Sequence, residues 1–134
     1  MLRFVFLVSV LWSMAGQALA DGHVKRIIST GETVLGNKIV YPVGEAKITA
    51  FEFTVPVGAP VAPHTHSFPV LLIIQQGEVT LDYGDGKSKV YRPGDAFIED
   101  VGVVHTATNT GDVPIKALVV AIGVDGQKIM TPVK

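Results

Sequence analysis

The sequence predicts an all-β sandwich or barrel in a single domain. Three observations carry that expectation. Short apolar segments recur at regular spacing, separated by turns drawn from 14 glycines and 8 prolines. From residue 24 onward no stretch keeps a helical hydrophobic period long enough to define an amphipathic helix. The length of 134 residues, with 48% hydrophobic and 17% charged content, suffices for one buried core and not two. Many short strands that share one core close into a sandwich or barrel.

The chain opens on a segment that reads as a processing signal. Arg3 supplies a positive n-region, residues 4–12 an apolar h-region, and Ala18-Leu19-Ala20 a small-x-small cleavage site. Residues 1–20 are therefore expected to be a cleaved signal peptide and residues 21–134 the mature domain. The h-region is shorter than the about 20 apolar residues that span a bilayer. No membrane association is expected after cleavage, and the mature chain is expected in the periplasm or secreted. There is no cysteine, hence no disulfide framework and no thiolate chemistry. Eleven Lys and Arg nearly balance twelve Asp and Glu, with no basic block, so nothing argues for a nucleic-acid partner. Cleavage after Ala20 would leave Asp21-Gly22-His23 as a terminus able to wrap Cu(II) or Ni(II) in a square plane. The ordinary reading of His23 is a solvated side chain on a frayed end.

Taken in order, residues 27–28 and 38–41 carry weak strand signals around Gly31 and Gly36-Asn37. Residues 46–57 are stronger: Ile48, Ala50, Glu52 and Thr54 alternate with Phe51, Phe53 and Val55, which defines two faces. Pro56, Gly58 and Pro60 end that strand. Residues 70–74 form an apolar run of sandwich-core type. Residues 79–83 pair with 89–92 across Gly84-Asp85-Gly86, a hairpin turn. Residues 96–99 follow the Pro93-Gly94 turn, and 105–109 and 115–122 complete the set.

His64 and His66 stand two residues apart just ahead of the apolar run. If they lie on a strand, both imidazoles project from one face and can share a metal ion. His105 offers a third imidazole downstream. The surrounding residues resemble the cupin family, small jelly-roll β-barrels marked by two motifs. Gly58, His64, His66 and Gly77 match the first motif in spacing, with Val70 where the family has glutamate. Gly94, Gly102, His105 and Asn109 match the second, with Asp100 where the family has proline. The resemblance implies a cupin jelly-roll holding a metal inside the barrel through His64, His66 and His105.

Imidazole suits Fe, Mn, Zn, Ni and Cu, so the expected cofactor is a divalent transition metal among these. The other readings of the three histidines are core side chains with separate hydrogen-bond partners, or polar residues lining an apolar ligand cavity. Without a carboxylate at Val70 the ion keeps its full charge and an open position. Glu99 is the candidate substitute, since it shares a face with Phe97. It is read as a fourth ligand, a general base or a partner of a histidine. Alternatively it sits with Asp100 at a solvated rim.

Phe68 and Leu72 share the histidine face and are expected beside the ion. Gln75 and Gln76 end the apolar run. Asn109 is expected to tie a turn through its amide. No spacing links Tyr41, Tyr83 or Tyr91 to the site. Two functions follow: a metal-dependent enzyme of oxygenase or isomerase type acting on a small molecule, or a non-catalytic barrel that captures a small ligand or the metal. Pairing through edge strands implies a homodimer.

Overall fold

The computed structural model describes residues 23–133. The segment expected to be a signal peptide lies outside them, as do Asp21 and Gly22. No helix among the described residues is long and apolar enough to cross a membrane. Among the described residues there are nine strands: β1 (Ala46–Val55), β2 (Pro60–Thr65), β3 (Val70–Gln76), β4 (Val79–Asp82), β5 (Ser88–Tyr91), β6 (Ala96–Glu99), β7 (His105–Asn109), β8 (Ile115–Val124) and β9 (Thr131–Pro132).

They form two antiparallel sheets, ordered β1-β8-β3-β6 and β5-β4-β7-β2-β9. Consecutive strands mostly fall in different sheets or at distant places in one, which is jelly-roll connectivity. The architecture is the all-β one that the strand pattern predicts.

Alternation in the sequence becomes two faces. Residues Ile115, Ala117, Val119 and Ala121 of β8 are buried, whereas Lys116 is exposed. On β1 the Phe51, Phe53 and Val55 face turns to the barrel interior and Ile48 is exposed, as its alternation requires. The β1–β8 ladder runs unbroken from Ala46↔Val124 to Val55↔Ile115. The apolar run of β3 pairs along both edges, with β6 and β8, and its residues Val70–Ile74 are buried or half-buried. Tyr91 stacks on Phe97 at a centroid separation of 3.9 Å.

Turn chemistry sets the connections. Gly84, Asp85 and Gly86 all take positive φ (78°, 50° and 75°), closing the β4–β5 hairpin with Tyr83 N–H donating to Lys87 O at 3.0 Å. At Gly77 a Cβ would lie 2.9 Å from the Ile115 Cα, so no other residue fits that corner without moving backbone.

Three local expectations differ from the structure. Residues 27–28 and 38–41 form no strand; the only ladder contact there is an isolated bridge between Glu32 and Lys38. Val40 and Tyr41 are exposed and have no sheet beside them to complete a ladder. Pro60 begins β2 and does not merely end β1, which the ring permits because a first strand residue need not donate. The short β9 strand gave no periodic signal, and it exists because Thr131 and Pro132 pair with Thr65 and His64.

Candidate metal centre

Two adjacent strands of one sheet bring the histidines together. His64 on β2 and His105 at the start of β7 are Cα partners, and a register shift between Val61 and His64 breaks the ladder just before the pair. Such bulges re-aim side chains beside sites. His66 lies just past the end of β2, held by a parallel bridge to Val101. The ring centroids are 5.0 Å apart for His64 and His66, 4.4 Å for His64 and His105, and 5.2 Å for His66 and His105. One nitrogen from each ring lies within 4.8 Å of the others, and all three side chains are buried.

Each ring is fixed by its Nδ1. His64 Nδ1 lies 2.8 Å from Ala62 O, His105 Nδ1 lies 3.1 Å from Val103 O, and His66 Nδ1 contacts Ile129 O. A carbonyl only accepts, so Nδ1 carries the hydrogen in all three rings and each Nε2 presents a lone pair. Two of the three partners are local, two residues before the histidine. The third comes from the far end of the chain.

Glu99 completes the cluster. Its Oε2 lies 2.8 Å from His66 Nε2 and its Oε1 lies 3.3 Å from His105 Nε2. These are ion-pair distances, yet both Nε2 atoms are buried and have no hydrogen-bond partner. Because Nδ1 already bears the hydrogen, a carboxylate facing an Nε2 lone pair is repulsive unless a second proton or a cation sits between them. Buried polar atoms without partners are rare and signal a missing companion. Three imidazole nitrogens and one carboxylate oxygen are a donor set that fits a divalent transition metal.

A second proton on Nε2 is the other way to relieve that contact, and it competes with a cation for the same place. Burial pushes the Glu99 carboxyl up, but the facing His105 and His66 outweigh it and hold it at about 2. Burial lowers His105, and the opposing Glu99 more than compensates, so His105 is raised. His64 is lowered, first by burial and then by His105 and His66 beside it. A neutral imidazole is the ligand form.

The expectation that Glu99 shares the inner face with Phe97 holds: Phe97 packs with Ile74 and Val79, and these two line the barrel cavity together with Glu99. The solvated-rim alternative fails: Asp100 is wholly buried too. Asp100 faces away from the histidines, accepting from Thr33 Oγ1, from Asn37 Nδ2 at 2.7 Å and from Leu35 N at 3.0 Å. The side chain standing at the family's proline position thus pins the 33–37 turn to β6.

Leu72 lines the cavity as expected, but Phe68 does not. It packs instead with Val70, Val119 and Ala121, its ring against Gly123, because it lies in the connection between β2 and β3, across which strand alternation does not carry from His66. Asn109 ties its turn, donating from Nδ2 to Val55 O and Val113 O and accepting from Gly111 N. Gln76 donates to Pro114 O and is not at the site. His23 is exposed.

Two contributors were not legible in the sequence. Ile129 holds His66 through a main-chain carbonyl, which no side-chain pattern reveals. Tyr83 stands 5.0 Å from the His105 ring and its hydroxyl accepts from Asp100 N at 3.1 Å.

Beside the histidines the barrel encloses a cavity of about 240 Å³. Among the described residues that line it, His64, His66, Glu99 and Thr108 have polar side chains and the rest are apolar, with exposed Phe51 and Met130 marking where it meets solvent.

Solved structures share the fold at low identity. A cupin-like protein from Thermotoga maritima aligns with a TM-score of 0.57 at 15% identity, over 64% of this chain and 64% of its own. A Klebsiella pneumoniae protein with a double-stranded β-helix domain gives 0.54 at 19%, over 85% and 99%. An oxalate decarboxylase from Lactobacillus farciminis gives 0.55 at 18%, over 64% of this chain but 26% of its own. The chain thus spans about a quarter of that enzyme. No curated protein sequence matches the chain. A family model described as "Cupin domain" matches residues 51–121, more than half of the sequence, and with that span holding His64, His66 and His105, the chain belongs to the cupin family.

Proposed function

We propose that this chain is an exported, single-domain cupin that binds one divalent transition metal ion through His64, His66 and His105, with Glu99 as the fourth donor, and acts on a small molecule as a metalloenzyme of oxygenase or isomerase type. The observation that carries this reading is the set of Nδ1–H to carbonyl bonds, which leaves the Nε2 lone pairs converging beside the Glu99 carboxylate. Fe, Mn, Zn, Ni and Cu all suit such a shell. When bound, the ion supplies Lewis acidity and, for a redox-active metal, one-electron chemistry.

The protein's own part is orientation and exclusion of water. Three carbonyls hold the rings, the apolar wall keeps bulk solvent off the reacting end, and Glu99 is the carboxylate lining the cavity there, a donor while it binds the ion and a proton acceptor only when released from it. An oxalate decarboxylase among the structural neighbours supports an enzymatic use of this fold. The apolar lining supports the second reading, a non-catalytic barrel that captures a ligand. Residues 1–20 support export to the periplasm or beyond. The outer edge of β1, ten residues long, supports a homodimer.

The test is elemental analysis of the mature protein purified without a histidine tag, beside His64→Ala, His105→Ala and His23→Ala. The expected result is about one equivalent of a transition metal in wild type and His23→Ala, lost in the other two. A wild type that takes up none of the five metals on titration overturns the proposal. Turnover of small carbonyl or phenolic compounds by the loaded protein separates the enzyme from the binding barrel.

A further inference from the structure

We infer that Tyr83 is a positioning residue of the metal centre: its ring backs His105 on one sheet and its hydroxyl holds the main chain beside Glu99 on the other, so that one side chain sets the separation of two donors. The inference rests on the metal-binding reading above and names a residue that shapes the centre from outside the donor set.

The centre needs such a link because it is split between the sheets. His64 and His105 stand on the adjacent strands β2 and β7 of the five-stranded sheet, with His66 just beyond β2, whereas Glu99 ends β6 in the four-stranded sheet. Ladder hydrogen bonds fix positions within a sheet, not between sheets. On the His66 side the main chain makes the connection, through the bridge to Val101 and through the Gly102 N–H, which donates to His66 O at 2.8 Å. On the His105 side, where Nε2 lies 3.3 Å from Glu99 Oε1, Tyr83 makes it.

Register places the ring. Val79 and Leu81 of β4 are buried and pair with Asn109 and Ala107 of β7. Two residues beyond Leu81, Tyr83 turns inward by the same alternation and comes level with His105. The two ring centroids are 5.0 Å apart, and His64, the Cα partner of His105 on β2, has its ring 4.4 Å away. Three rings thus stand in one row across the sheet. Tyr83 is itself held, since its N–H donates to Lys87 O at 3.0 Å at the base of a turn of three positive-φ residues.

The hydroxyl reaches the other sheet. Tyr83 Oη accepts from the Asp100 N–H at 3.1 Å, and that amide belongs to the peptide bond leaving Glu99. Asp100 is a fixed donor, because its carboxylate is held by Thr33, Asn37 and the Leu35 amide. The bond therefore keeps the end of β6 from receding from His105. It counts most before an ion arrives, when the Glu99 carboxylate faces the His105 Nε2 lone pair and the two repel. A pre-set donor geometry is what binding then does not have to build.

The test uses the mature protein, with zinc affinity measured by competition with a chromophoric chelator and donor geometry read from the absorption of the cobalt(II) form. Tyr83→Phe keeps the ring and removes the hydroxyl; it is expected to weaken zinc about tenfold and to shift the cobalt bands. Tyr83→Leu removes both contacts and is expected to weaken zinc further, up to about 100-fold, with Tyr83→Phe carrying the test if the leucine variant does not fold. Added to Glu99→Val, Tyr83→Phe is expected to change zinc affinity less than about twofold, because the hydroxyl acts through Glu99. A folded Tyr83→Phe protein with wild-type zinc affinity and cobalt spectrum, whatever its Tm, overturns the inference alone, since Tyr83 then supports only the fold. So does a loss on the Glu99→Val background as large as that in wild type. Wild-type protein that takes up neither zinc nor cobalt overturns it together with the metal-binding reading.

Discussion

Val70 and Glu99 are Cα partners in the β3–β6 ladder. Opposed residues of an antiparallel pair hold their Cβ atoms about 5 Å apart. The carboxylate that the first cupin motif places at the Val70 position is therefore offered here from the neighbouring strand.

A charge-swap series follows from that geometry. Glu99→Val is expected to weaken zinc binding about 10–100-fold. Adding Val70→Glu to the same chain is expected to recover part of the loss, measured by competition with a chromophoric chelator. A double variant that binds no better than Glu99→Val would count against one carboxylate seat reachable from both strands.

Asp100 is a structural acid. Asp100→Ala removes the acceptor for Thr33, Asn37 and the Leu35 amide in a fully buried setting. The expected cost is about 2–4 kcal/mol, because charge-assisted bonds to a buried carboxylate are lost and the part-buried Leu35 amide is orphaned. For a domain of this size that lowers Tm by about 10–20 °C. Thermal unfolding followed by circular dichroism checks it, and a Tm within a degree of wild type would refute it.

Metal affinity is expected to fall with decreasing pH, beginning above the ordinary imidazole value of 6.5. The metal takes the deprotonated ring, and His105 is raised above that value by Glu99, so protons compete for it earlier than for a free imidazole. Glu99→Gln removes the cause of the raise. Its pH onset should move down even as its affinity at neutral pH drops. Zinc titrations between pH 5 and 8, the range over which imidazoles titrate, would show the displacement, and identical onsets in the two proteins would contradict it.

The C-terminal segment is expected to matter through its backbone. Deleting residues 128–134 removes the Ile129 carbonyl that receives the His66 Nδ1 hydrogen, along with the β9 pairing beside His64. Zinc affinity should fall about tenfold or more. Ile129→Ala keeps the carbonyl and should bind zinc nearly as wild type does. Equal losses in both would mean that the side chain, not the main chain, supports the site.

Local chemistry made much of this protein legible from its sequence. Alternation on β1 set Phe51, Phe53 and Val55 on one face, the Gly84-Asp85-Gly86 turn located the β4–β5 hairpin, and the spacing of His64 and His66 placed two imidazoles together, because strand period and turn conformation depend on near neighbours. Parity with Phe97 carried Glu99 to the inner face in the same way. What only the tertiary structure decided depends on strands distant in sequence. The two-sheet register sets Glu99 opposite Val70, brings the Ile129 carbonyl to His66, lays Phe68 against Gly123 and lodges Asp100 in the 33–37 turn. Those contacts span tens of residues and involve main-chain atoms common to every residue type, so no short-range pattern encodes them.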